Sequence, residues 1–351
     1  MRFCRIDLHF NNCVVVATDE TDKVLVSRRC PNDLSKILAL LAPRQGELSA
    51  VVVESTYNGY WLVDGLMAAG YAVKLANTVA MKQYDGLKRS DDETDAAHLA
   101  HMLRLGILPT GYIHPPAERA LRGLCRHRVQ LVRSRTQHVL AVENILARSL
   151  GSRLSAGAIK RLDAADASTL GLSPDATLAV QANLAVITTL NLQIGKLEAR
   201  LLESVKLRPE YVHLLGIPGI GKVLATVIMS LPRGAETVSL AGMLETGDVN
   251  RFAQVGNYAS YARCVSSIRI SNGKKKGEGN TKNGNAYLVW AFVEAANFAR
   301  RYSEEAKSFF DRKKARTNGI VATKALAHKL ARASYHMPKE GQPFDVKRCF
   351  A

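Results

Sequence analysis

Four carboxylates stand in places where an idle charge is unexpected. Asp7 interrupts an apolar alternation between Ile6 and Leu8, and Glu54 ends the run Ala50-Val51-Val52-Val53. Burying such a group is costly unless a positive charge lies beside it. Asp92 and Asp95 fall in Ser90-Asp91-Asp92-Glu93-Thr94-Asp95, and on a helix positions i and i+3 share a face. Ser90 and Glu93 form a capping box, and acids favour a helix's first turn, which accounts for those two and makes Asp91 a candidate for the same role. Capping does not account for Asp95 or for acids inside strands. Acids from two strands and one helix make an oxygen cage for hard divalent cations such as Mg2+. Two such ions can clamp the entering and leaving oxygens of a phosphodiester.

A second chemical segment lies far downstream. Ser271-Asn272-Gly273-Lys274-Lys275-Lys276-Gly277 continues through Asn280-Thr281-Lys282-Asn283-Gly284-Asn285. Lys274, Lys275, Lys276 and Lys282 suit a phosphate, and a serine among them would sit in positive charge. On residue chemistry alone a passive nucleic-acid-binding loop is favoured, because serine is a poor nucleophile without activation. Ser266 and Ser267 are the nearby alternatives, and no serine–histidine–acid triad is apparent. Upstream, Gly216-Ile217-Pro218-Gly219-Ile220-Gly221-Lys222 resembles the hairpin of a helix-hairpin-helix motif. Gly219 and Gly221 would let backbone N–H groups approach a phosphate beside Lys222, or simply make a tight helix–helix turn.

The elements that must position these groups follow from periodicity. Residues 2–30 alternate as three strands with polar turns at Asn11-Asn12 and Asp19 to Asp22. A helix from Asp33 to Leu41, a strand from Ala50 to Glu54, a helix from Tyr60 to Ala69, a strand from Tyr71 to Leu75 and a helix from Ser90 to Leu105 follow. A meander entering α/β alternation predicts a mixed sheet with helices on its faces. After Pro115-Pro116 a long helix spans Ala117 to Leu150. Arg119, Arg122, Arg126 and Arg133 share one sector beside its apolar stripe, while Arg128 and Arg135 fall near the stripe itself. With only Glu118 beside them, these six are expected to face phosphates. Residues 151–175 read as loop or short helices. A second long helix, Ala176 to Val205, carries a heptad seam at Ile187, Leu190, Ile194, Leu197 and Leu201, so the pair predicts an antiparallel coiled-coil arm. From Tyr211 onward the chain reads as helical and basic. His98, Tyr258, Tyr261 and Tyr287 read as packing or stacking residues, and Met67, Met81 and Met102 as core.

Composition narrows the class. The 351 residues are 47% hydrophobic and 23% charged, which excludes a disordered chain. The longest apolar runs are too short to cross a bilayer, and charges every few residues argue against a signal peptide. Six scattered cysteines without a C-x-x-C pair argue against zinc and disulfide frameworks and for a reduced, cytoplasmic protein. Residues 1–115 hold 12 basic and 13 acidic side chains, whereas residues 116–351 hold 36 and 18, a net of +18. A near-neutral front and a basic rear suggest a chemical module joined to a polyanion-binding one.

Ile6-Asp7, Val52-Val53-Glu54-Ser55-Thr56 and Asp92-Glu93-Thr94-Asp95 resemble the RuvC-like, ribonuclease-H-fold domain of DEDD-type insertion-sequence transposases, relatives of the Piv invertase now described as bridge-RNA-guided recombinases. The basic loop resembles the same family's C-terminal transposase domain. The resemblance implies an α/β RuvC-like domain over 1–115, a coiled-coil arm over 116–208 and a mainly helical transposase domain over 209–351. It implies Asp7, Glu54, Asp92 and Asp95 as catalytic Mg2+ ligands and Ser271 as a nucleophile forming a phosphoserine link to DNA. It further implies a guide RNA, DNA element ends and target as partners, and a homo-tetramer. The alternatives are a RuvC-like metal nuclease of branched DNA that uses water, and a non-enzymatic nucleic-acid-binding protein.

Overall fold

The structure is a computed structural model that describes residues 2–54, 58–77, 99–206, 208–228, 245–265, 269–277 and 283–350. The chain divides into two compact units, Met1–Ile113 and His114–Ala351.

In the first unit β1 (Arg2–Leu8), β2 (Asn12–Thr18) and β3 (Val24–Pro31) form an antiparallel meander. Asp33 caps α1 (Leu34–Leu41) by accepting from the amides of Ser35 and Lys36. The chain then returns as β4 (Leu48–Glu54), parallel to β1, and passes through α2 (Tyr60–Ala68) into β5 (Val73–Ala76), parallel to β4. Helical residues 99–104 (α3) and the short β6 (Thr110–Gly111), antiparallel to β5, complete it. The sheet order is β3-β2-β1-β4-β5-β6.

The period-2 pleat sorts the central strands into two faces. Cys4, Ile6, Leu8, Val15, Val51 and Val53 pack against Ile37 and Leu41 of α1 and Leu62 and Leu66 of α2. On the opposite face Val52 and Ala76 pack against Leu99 and Met102 of α3. Met102 is core as expected. Met67 instead is 50% exposed on the outer side of α2, and Met81 lies outside the described residues.

The second unit begins with α4 (Pro116–Leu150), one continuous 35-residue helix. The stretch read as loop or short helices holds two short helices, α5 (Ala156–Ile159), capped by Ser155, and α6 (Ala164–Ser168), opened by an Asp163/Asp166 capping box. The return helix is α7 (Pro174–Val205). Arg128 meets Glu198, Arg135 meets Asn191 and His138 meets Asn183, so numbers rise along α4 as they fall along α7 and the arm is antiparallel. Its tip is closed by Val139, Val142 and Leu146 against Ile159, Ala167, Val180 and Leu184. By length and composition alone α7 is apolar enough to cross a membrane, a test that a core helix also passes, and its buried residues pack within the arm and its base.

Beyond the arm come α8 (Pro209–Leu215), α9 (Lys222–Ile228), α10 (Val255–Tyr261), β7 (Arg269–Ser271), β8 (Lys274–Gly277), α11 (Ala286–Tyr302), α12 (Glu304–Arg316), α13 (Gly319–Glu340) and α14 (Val346–Phe350). Their core gathers Ile228, Tyr258, Phe292, Ala295, Leu326 and Leu330, and takes in Leu121, Cys125, Leu201 and Val205 from the arm's base.

Candidate active site: an acid pair on the sheet and a serine hairpin

The sheet brings Asp7 and Glu54 together. β1 and β4 are parallel neighbours with Ile6 opposite Val53, so Asp7 and Glu54 stand one step further at the carboxyl ends of both strands. The pleat turns both away from the apolar face that carries Ile6 and Val53. Asp7 is 7% exposed, and Glu54 is half-buried.

A third residue shares this face. Arg5, two positions before Asp7, is 1% exposed. Its Nη2 lies 3.6 Å from Asp7 Oδ2 and 3.4 Å from Glu54 Oε1. His9, two positions after Asp7, brings Nε2 to 3.6 Å from Asp7 Oδ2. The two carboxylates thus already converge on one positive charge. Hard oxygen donors gathered in this way fit a divalent cation such as Mg2+. Among the described residues no group of three or more His, Cys, Asp or Glu side chains is clustered for a metal ion. Asp92 and Asp95, the other two expected ligands, lie outside the described residues, as do Asp91 and His98.

The helix that follows those acids is firmly placed. Arg104 donates to Asp22 through Nε (2.9 Å) and Nη2 (2.7 Å), and His101 Nδ1 is 2.6 Å from Asp22 Oδ2. Asp22 lies in the β2–β3 turn, at the end of the sheet opposite the carboxyl ends of β1 and β4. The end of α3 is pinned there, while Leu99 packs with Val52 and Ala76 beside Glu54. Hydrogen bonds from Arg104, aided by His101, hold the Asp22 carboxyl below its usual range against the effect of burial.

In the second unit Ser271 lies at the end of β7 and is exposed. The first part of the expected loop is a β-hairpin. Asn272 and Gly273 have φ of 50° and 69°, the left-handed pair that a two-residue type I′ turn requires. The register sets Ser271 directly across from Lys274, a spacing at which cross-strand side chains interact. Lys276 is also exposed, and Lys275 pairs with Ile270 through the backbone ladder. Lys282, Ser266 and Ser267 lie outside the described residues.

Described residues on either side of the hairpin segment are tied to each other and to the arm by groups that sequence reading missed. Arg263 donates to the carbonyls of Asn283 (3.0 Å) and Gly284 (2.9 Å), and the Asn285 amide donates to the Tyr261 carbonyl at 2.6 Å. The Asn285 side chain caps α11 through Oδ1 and donates through Nδ2 to Glu245 Oε2 at 2.6 Å. Glu245, 1% exposed, also receives Arg122 Nε at 3.1 Å and Arg126 Nε at 2.6 Å. Burial would raise this carboxyl, but the Arg126 hydrogen bond and both guanidinium charges overcome it and hold the group below its usual range.

These contacts change the picture of the arginine sector. Arg122 and Arg126 turn inward to Glu245, and Arg128 and Arg135 cross the seam to α7. Crossing explains why the last two fall near the apolar stripe. Arg119 is half-buried and Arg133 exposed. Tyr258 is buried among Phe252, Phe292 and Tyr335, Tyr261 packs on Phe252, and Tyr287 lies beneath Arg126 at 4.6 Å.

The glycine hairpin joins α8 to α9. Gly219 has φ of 82°, and a Cβ there would collide with the backbone of Ala295 and Ala299 on α11, so its lack of a side chain is needed for packing. Gly221 faces open space and Lys222 is exposed.

Comparison with known proteins finds two family models along the chain. A DEDD transposase family model matches residues 4–149, and a model described as Transposase IS116/IS110/IS902 family matches residues 212–311. No curated protein matches the chain. With these two transposase models matched along it, the chain belongs to the IS110 family of DEDD transposases, enzymes that cut and rejoin DNA.

Proposed function

We propose that this transposase is an RNA-guided recombinase that joins DNA through a serine-linked intermediate. Asp7 and Glu54, with Asp92 and Asp95, would hold Mg2+, which when bound supplies Lewis-acid stabilisation of charge on the phosphate oxygens. The sheet order, with an antiparallel meander beside two parallel strands, supports a ribonuclease-H-like, RuvC-like fold for the first unit. The packing of Leu99 of α3 on Val52 and Ala76 sets that helix on the sheet face that carries Asp7 and Glu54.

The observation that carries the nucleophile is the register of the basic hairpin, with exposed Ser271 opposite Lys274. In the proposed step Ser271 Oγ attacks phosphorus and the bond to the leaving nucleoside oxygen breaks. That oxygen takes up a proton as the serine hydroxyl gives one up. A second transesterification reverses the exchange on another strand, so bond energy is conserved. Lys274 would hold the phosphate and stabilise developing charge. Guide RNA would choose the target, and a cytoplasmic homo-tetramer would share active sites between subunits.

The test is a nicked or suicide DNA substrate carrying element ends, offered with co-purified RNA. A covalent protein–DNA adduct that is lost in Ser271→Ala and in Asp7→Asn supports the proposal. DNA cleavage with no adduct, unaffected by Ser271→Ala, would indicate a nuclease that uses water.

A further inference from the structure

Resting on the reading of Asp7 and Glu54 as metal ligands, we propose that Arg5 is a resident cation of the acid site. Its guanidinium gathers and neutralises the two carboxylates when no divalent ion is bound, and it weakens the hold on such an ion until nucleic acid arrives. The alternation of β1 places Arg5 on the Asp7 face, and it is 1% exposed there. A guanidinium so deeply buried needs anionic partners, and those it has include the two carboxylates of the site, at 3.6 and 3.4 Å.

The consequence is electrostatic. A Mg2+ bound to these oxygens lies about 2 Å from them, and so within a few ångströms of the guanidinium. Repulsion between a double and a single positive charge at that range is worth at least a tenfold weakening, even at an effective dielectric constant of about 20. A DNA phosphate entering the site adds negative charge and offsets the repulsion. Ion and nucleic acid therefore bind with positive coupling, and the idle enzyme stays largely unloaded.

The test is a Mn2+ titration of the full-length chain, read by loss of the free-ion paramagnetic resonance signal, with parallel thermal melts. Wild type is expected to bind weakly, with the site lost in Asp7→Asn. Arg5→Gln is expected to bind at least about tenfold more tightly. It should melt lower without metal and gain more from metal than wild type does. Arg5→Lys keeps the charge and should bind as wild type. If Arg5→Gln is insoluble without metal, millimolar Mn2+ should rescue its folding, because the ion replaces the lost charge. A purely structural arginine would lower stability and metal affinity together. Arg5→Gln binding no more tightly than wild type, or misfolding that Mn2+ does not rescue, would overturn the proposal. Wild type and Asp7→Asn titrating alike would instead remove the metal reading on which it rests.

Discussion

At the scale of single residues, the second unit depends on buried charge. Glu245 satisfies Arg122, Arg126 and Asn285 at once. Removing it strands two guanidinium groups and one cap, so Glu245→Ala should cost about 3–5 kcal/mol. Glu245→Gln should cost less, since it keeps an acceptor for one arginine; urea melts of the two variants check the order. Glu118 behaves differently. Burial, then the nearby Asp248 charge, pushes its carboxyl up to about 7 against Arg208 and Arg122. His114 Nδ1 lies 3.6 Å away, and burial drives its imidazole down to about 3. For Glu118 the folded value exceeds the unfolded one. Its contribution is therefore fully present below pH 4.5 and is lost as pH rises through 7. Glu118→Gln should abolish a loss on the order of 2 kcal/mol between pH 5 and 9, read from denaturant midpoints at each pH.

At the scale of elements, glycine decides whether two segments can meet. Gly219 lets the α8–α9 turn rest on the α11 backbone. Gly219→Ala should destabilise the second unit by about 2–4 kcal/mol, whereas Gly221→Ala, facing open space, should be nearly neutral in the same thermal melts. The elements themselves were largely legible in the chain. Alternation marked β1 to β3, and helical periodicity marked α4 and α7 within a few residues, because both patterns arise from burial on one face. The β7–β8 hairpin was missed although Asn272-Gly273 is a strong turn signal. Its flanks, Arg-Ile-Ser and three lysines with a glycine, lack the apolar alternation that marks a strand. β6 is two residues long and exists only through its pairing with β5. At the site, Asp7 and Glu54 stood out as acids inside apolar runs. Arg5 lay in the same alternation at the centre of β1, but a lone cation in a strand normally reads as solvent-facing. Glu245 was invisible because its arginine partners lie 119 and 123 positions away, and no local pattern records such a distance.

At the scale of the whole molecule, the net +18 of residues 116–351 bears on polyanion binding only through side chains left facing solvent. Arg122, Arg126 and Arg128 are engaged by Glu245 and Glu198. Lys274, Lys276, Lys222 and Arg133 are exposed, as are Lys313, Lys314 and Arg316 at the end of α12. Each exposed cation that meets a phosphate releases counterions, and log K then falls with log salt by about 0.9 per contact on duplex DNA. If six or more phosphates are contacted, affinity should drop by about a thousandfold between 50 and 200 mM salt. The two classes of cation should then separate experimentally. Replacing Lys274 and Lys276 together by Gln should lower the magnitude of the salt slope by about 2 and leave the melting temperature unchanged. Replacing Arg128 by Gln should leave the slope unchanged and lower the melting temperature, because its charge is spent on Glu198. A slope that responds equally to Arg128 and to the lysines would mean that the arm opens on nucleic acid and releases its internal partners.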